Sequence, residues 1–139
     1  MTGIARAREE LFAAHLLATT QFAAQAVGLA HRGALAAAEA AVEALDRISP
    51  TEPAALVSVF LRQVVRERGL DPEAGRILRS LHNRAVLAAM NGAVPPGEAA
   101  VAIADATALV DGVDEWLTQS EIVTIARDFV RPQQRRRRR

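Results

Sequence analysis

The sequence predicts an all-α fold, and three observations support this class. Of the 139 residues, 30 are alanine, a strong helix former that is depleted in strands. The β-branched and aromatic residues that build sheets are confined to a few short runs, and tyrosine and cysteine are absent. Half of the residues are apolar, which is too many for a disordered chain. We therefore predict one domain of about five helices over residues 1–131, followed by an arginine-rich tail over residues 132–139.

The first predicted helix is long, from about residue 4 to residue 48. A charge-free face that includes Phe12 and Leu16 keeps its helical phase across Gly28 and Gly33. One continuous helix of this length would measure about 67 Å, which exceeds the width of a compact chain of this size. We therefore predict that the helix packs in a bundle and that a second copy of the chain covers part of it. The alternative is a helix that breaks near Gly33 and folds back.

The second half of this helix is almost purely alanine along its apolar face. Small side chains let two helix axes approach closely, so the face predicts a tight helix–helix seam. We assign the interface of a homodimer to six residues of the seam: Ala23, Ala26, Ala30, Ala34, Ala37 and Ala41. A charge-free run over residues 11–30 is long enough to span a bilayer. Its polar residues and the charges that follow favour a helix without membrane contact.

Capping and turn signals place the next two helices. A capping box at residues 49–52, with proline at the first helical position, opens a helix that Gly69 ends. Asp71-Pro72-Glu73 opens the following helix in the same way, and Asn91-Gly92 ends it.

The remaining sequence predicts two further helices. The first begins near Gly97 and ends between residues 110 and 117. A second capping box, at residues 118–121, opens the last helix, which we expect to end at Val130 because Pro132 blocks its continuation.

The sequence carries no recognisable catalytic, cofactor or metal motif. His15, His31 and His82 have no acidic residue at the spacing of a known metal motif, and no serine lies in a nucleophile elbow. We therefore predict a protein without enzymatic activity, cofactor or metal. The densest acidic cluster predicts a solvated face or a docking patch for arginines rather than a cation site; it consists of Asp105, Asp111, Asp114 and Glu115.

Charge is distributed unevenly along the chain. Residues 1–134 hold 12 arginines and 16 acidic residues, so the body of the protein is mildly acidic. The last five residues are all arginine: Arg135, Arg136, Arg137, Arg138 and Arg139. Such a run binds nucleic acid or another polyanion in a salt-sensitive way, and it also serves as a flexible solubilising tail.

A second basic feature lies within residues 50–91, where two helices joined by a short turn resemble a helix-turn-helix unit in length. On the second of these helices Arg76, Arg79 and Asn83 share one face, and arginine and asparagine are the residues that read base edges in the major groove. The same pattern is also that of an ordinary solvated face, and some positions of the unit depart from the motif.

These observations rank three functions. We expect a small cytoplasmic interaction or assembly protein, dimeric, that contacts nucleic acid or another polyanion through its tail. The alternative is a dimeric DNA-binding regulator that uses residues 50–91. A helical enzyme or small-ligand-binding bundle is the third hypothesis. Only the regulator requires sequence-specific binding.

Overall fold

A computed structural model describes the backbone of residues 2–137 and the side chains of residues 2–119. It confirms the all-helical class and the number of helices. Five helices, the third of which continues as a π-helix, follow one another along the chain: α1 (Gly3–Leu17), α2 (Ala23–Glu43), α3 (Pro53–Val59) with the π-helix (Phe60–Arg66), α4 (Pro72–Asn91) and α5 (Glu98–Arg137).

The predicted continuous helix over residues 4–48 is wrong, because the chain turns between Leu17 and Ala23. The side chain of Thr20 stabilises this turn. Its hydroxyl donates to the carbonyl of Leu17 at 2.7 Å and accepts from the backbone N–H of Phe22 at 3.0 Å. A threonine side chain that bonds nearby backbone groups in this way competes with the helical hydrogen bonds. The chain then folds back, so α1 and α2 form an antiparallel pair, although the break does not lie at Gly33.

The buried face of α1 also differs from the charge-free face that the sequence predicted to be buried. Ala7, Leu11 and Ala14 are buried, whereas Phe12 and Leu16 are 67% and 63% exposed. The turn at Thr20 resets the helical phase. In one continuous helix the face of α1 that contains Phe12 and Leu16 would line up with the alanine seam of α2. The face that α1 buries instead lies beside it. Two large apolar side chains expected in the core are therefore on the surface.

Helix α2 lies at the centre of the bundle and contacts every other helix. Five of the six seam alanines are completely buried, and Ala23 is partly buried. The seam therefore exists, but it lies inside one chain. This corrects the assignment of Ala23, Ala26, Ala30, Ala34, Ala37 and Ala41 to an oligomer interface. Because the chain folds back after α1, its own helices cover the seam. A second copy of the chain is therefore not needed to bury these alanines.

Glycine brings α1 and α2 into close contact. A Cβ atom at Gly33 would lie 3.1 Å from the carbonyl oxygen of Ala7 and 3.2 Å from Leu11. A Cβ atom at Gly3 would lie 2.7 Å from the Cβ of Ala40. Gly33 therefore continues the helix, as its phase predicted, and its missing side chain is what allows the two backbones to approach.

Several of the predicted boundaries are confirmed. Asp71 caps α4, because its side chain accepts a hydrogen bond from the backbone N–H of Glu73 at 2.9 Å and Pro72 follows at the first helical position. Gly92 ends the helix in the left-handed conformation with φ 70°. Helix α3 begins at Pro53, later than the box at residues 49–52 predicted, and no side chain caps it.

The last two predicted helices are one. Helix α5 runs from Glu98 through the predicted capping box at residues 118–121, and its backbone remains helical past Pro132 to Arg137. The expectations that the box starts a new helix and that Pro132 ends the last one are therefore wrong.

The helix directions define two ends of the bundle. Along α1, Gly3 lies against Ala40 of α2 and Leu11 against Gly33, so α1 runs antiparallel to α2. Arg8 bonds Asp111 of α5 at 2.9 Å, and the later His15 shares a groove with the earlier Ala100, so α1 is also antiparallel to α5. Arg84 near the end of α4 bonds Asp105 near the start of α5. The α1–α2 turn and the α4–α5 turn therefore lie at one end, which we call the turn end. The start of α4 lies at the opposite end.

Replacing Ala30 or Ala37 with leucine should lower the free energy of unfolding by roughly 1–3 kcal/mol, because both residues are completely buried and extra methylenes overpack a tight seam. Urea unfolding measures this change, and exposed Ala5 provides the matched control. Unfolding free energies of Ala30→Leu and Ala37→Leu equal to that of Ala5→Leu would contradict the buried seam.

Candidate functional site

Large apolar side chains collect at the turn end of the bundle. Among the described side chains eight large apolar ones are exposed, and seven of these lie in the turns or in the helical turns next to them. They are Phe12, Leu16, Phe22, Val86, Leu87, Met90 and Val101. The eighth, Ile48, lies in the connection between α2 and α3. Soluble proteins carry single exposed apolar residues everywhere, whereas interaction surfaces are marked by apolar residues that lie together.

The turn end is also almost free of charge. Residues 11–31 and residues 85–97, which form both turns and the adjoining helix ends, contain no arginine, lysine, aspartate or glutamate. Glu98, which follows them, lies 3.9 Å from the guanidinium of Arg84. Nearly all of the charged residues among the described side chains therefore lie along the middle and at the opposite end of the bundle.

A groove of about 630 Å³ crosses this end between α1 and α5. Small side chains on α5 form much of its wall, namely Ala100, Ala104 and Ala108. On the α1 side His15 lines the groove, and the exposed Phe12 and Leu16 lie within one turn of His15 in the sequence. The surface thus combines two large apolar side chains with a recess of small ones.

The acidic cluster of α5 is bound by arginines of the same chain. The guanidinium of Arg8 bonds Asp111 at 2.9 Å and Asp114 at 3.0 Å. These hydrogen bonds, first from Asp111 and then from Asp114, raise the pKa of Arg8 above its usual value. Arg84 bonds Asp105 at 2.7 Å. The predicted docking patch for arginines therefore holds α1 and α4 against α5.

A second groove, of about 540 Å³, lies at the opposite end between the π-helix and α4. Leu61 and Val65 form its apolar floor, and three arginines line it: Arg66, Arg76 and Arg79. Arg76 and Arg79 lie on the exposed face that the sequence predicted. Arg66 was missed, because only the antiparallel packing of the π-helix on α4 brings it to the same place.

The other predicted polyanion-binding residues lie elsewhere. Asn83 is exposed one turn beyond Arg79 but does not line the groove. The predicted binding residues Arg138 and Arg139 lie outside the described residues, as do the side chains of Arg135, Arg136 and Arg137.

Two histidines meet inside the bundle, which the sequence did not predict. The Nε2 atom of His31 on α2 lies 3.4 Å from the Nδ1 atom of His82 on α4, and His31 is buried. Burial, and then the charge of His82, lower the pKa of His31 to about 4. One neutral ring can donate its N–H to the other, whereas two protonated rings would repel each other.

Within the part of the chain that the structure describes, no helix is both long enough and apolar enough to cross a membrane. No group of three or more histidine, aspartate or glutamate side chains in the described part of the chain is placed to hold a metal ion.

Comparison with known proteins gives no relative. The chain matches no protein-family model, and neither the curated proteins nor the solved structures contain a significant match to it.

The buried His31 should make the protein less stable as the pH falls from about 6.5 to about 4. In this window the unfolded chain protonates His31 and the folded chain does not, so the unfolded state binds more protons and gains stability. The loss is at most about 3 kcal/mol, since one pKa unit corresponds to about 1.4 kcal/mol. Above about pH 6.5 this contribution is constant.

Urea unfolding at a series of pH values tests this, with His31→Gln as the variant and exposed His15→Gln as its control. His31→Gln should have a flatter stability profile between pH 6.5 and 4 than the wild type. Parallel profiles for the wild type and His31→Gln would show that His31 is not the group responsible.

Proposed function

We propose that this chain is a non-enzymatic helical interaction protein that forms a homodimer through its turn end and binds a polyanion through arginine residues. The observation that carries the proposal is the concentration of seven of the eight exposed large apolar side chains at that end. The dimer interface of this proposal replaces the alanine seam, which the chain itself covers.

A second copy fits this surface better than other occupants. In a two-fold dimer the same patch meets itself, so every side chain that projects must find a recess on the same surface. Phe12 and Leu16 project from α1, and the neighbouring groove is walled by alanines. Each copy therefore offers both the projecting side chains and the recess that the other requires.

The lack of charge supports the same occupant. Among the described side chains that line the groove only Asp111 is an acid or an arginine, and it is paired with Arg8 of the same chain. A copy of this surface therefore meets it with little like-charge repulsion and without burying unpaired charges. A membrane surface would favour arginines or lysines beside the apolar residues, because these attract anionic lipids. Residues 11–31 and 85–97 provide none.

The polyanion-binding part of the proposal rests on the five consecutive arginines, Arg135–Arg139. Five adjacent guanidinium groups displace counterions from a phosphate backbone, and the affinity then depends strongly on salt. No aromatic residue interrupts the run, so we expect binding without base preference.

Sedimentation velocity of the full chain at micromolar concentrations should show a dimer. Phe12→Glu and Leu16→Glu should each raise the dissociation constant at least about tenfold, because a two-fold interface would then bury two unpaired carboxylates. Both residues are mostly exposed in one chain, so the fold should tolerate glutamate at either position.

Ile48→Glu is the matched control, since Ile48 is 96% exposed and lies outside the turn end. This variant should remain dimeric. A wild-type chain that sediments as a monomer of 14.9 kDa, or equal dissociation by Ile48→Glu, would refute the turn-end dimer. A monomer that floats with lipid vesicles would assign the surface to a membrane instead.

A further inference from the structure

We infer that the groove between the π-helix and α4 binds the phosphate groups of a single nucleic-acid strand. Its three arginines belong to two different elements: Arg66 to the π-helix, Arg76 and Arg79 to α4. This site is separate from the turn end and from the terminal arginine run, and it does not depend on dimer formation.

The charges of the groove suit an anion. Among the described side chains Arg66 and Arg79 form no ion pair, and both are exposed. Arg76 is held by Glu73 of the preceding turn at 2.8 Å, which partly neutralises it. Unpaired guanidinium groups on both sides of one recess are arranged to bind phosphate oxygens, for which the fork of arginine donors is well suited.

The π-helix is a second, independent indication of function. Its hydrogen bonds span five residues rather than four, a form that is rare and frequently retained at functional sites. Here it forms one wall of the groove over Phe60–Arg66. A Cβ atom at Gly75 would collide with the side chain of Leu61, so a glycine in α4 is what allows this wall to lie so close.

The shape of the groove favours a single strand over a duplex. The groove is concave and has an apolar floor of Leu61 and Val65, which a flexible strand can enter with its sugars against the floor and its phosphates towards the arginines. A duplex is a convex rod whose bases are read by an element that projects into the major groove, an α-helix or a two-stranded β-ribbon. No aromatic side chain among the described residues lines the groove, so we expect no stacking of bases there and binding that is independent of sequence.

Fluorescence anisotropy of the full chain with a labelled oligothymidylate of about 20 nucleotides, over a series of salt concentrations, tests the inference. Arg66→Gln and Arg79→Gln should each weaken binding at low salt at least about threefold. Each should also lower the slope of log affinity against log salt by about 0.7, the value for one lost phosphate contact on a single strand. Arg32→Gln, at an exposed arginine of α2 that forms no described ion pair, is the control and should change neither quantity.

A variant that gains affinity separates this effect from misfolding. Glu73→Gln removes the carboxylate that holds Arg76 and should therefore strengthen binding to the same oligonucleotide. Affinities of Arg66→Gln and Arg79→Gln equal to that of Arg32→Gln would overturn the inference, even if the terminal arginines bind. Two other results would overturn it as well: displacement of the oligonucleotide by a mononucleotide at equal concentration, and selective binding of one duplex sequence that Arg76→Gln abolishes.

Discussion

The close approach of α1 to α2 is the constraint on which the rest of the structure depends. Gly3 and Gly33 have no side chain where the two helices cross, and α2 presents alanines on most of its circumference. A central helix of small side chains can be surrounded by neighbours at short distance, and a tightly packed interior has few voids in which to accommodate anything larger. The large core side chains accordingly come from the surrounding helices. Among the described side chains the largest completely buried ones are Phe60, Leu78, Leu81 and Leu109.

This packing also explains what remains outside. Because α1 lies so close to α2, the face of α1 that is buried can hold only small residues and Leu11. Phe12 and Leu16 lie outside this face of α1 and stay on the surface. Their exposure therefore follows from which face of α1 packs against α2.

Features that depend on neighbouring residues could be predicted from the sequence. Contacts between residues that are far apart in the chain could not. The caps at Asp71 and Gly92 are formed by neighbouring residues, so their positions could be predicted. The turn at Thr20 could not be predicted, because the residues before and after it share one apparent helical phase and because threonine also occurs within helices. The sequence contains no sign that His31 would meet His82, or Arg66 the arginines of α4. These residues are far apart in the chain, and their meeting depends on how α2 and the π-helix pack.

One candidate surface is apolar and the other is basic, and the two lie at opposite ends of the bundle. Helix α2 alone, with 21 residues, separates these ends by about 32 Å. In a dimer joined at the turn ends, the two arginine grooves would therefore face away from the interface, roughly 60 Å apart. A short strand cannot reach both grooves, whereas a long strand or two separate strands can occupy them together. The second binding event then becomes intramolecular, and affinity for long polyanions rises without any new contact. Dimer formation would thus raise the affinity of the two grooves for long anionic chains.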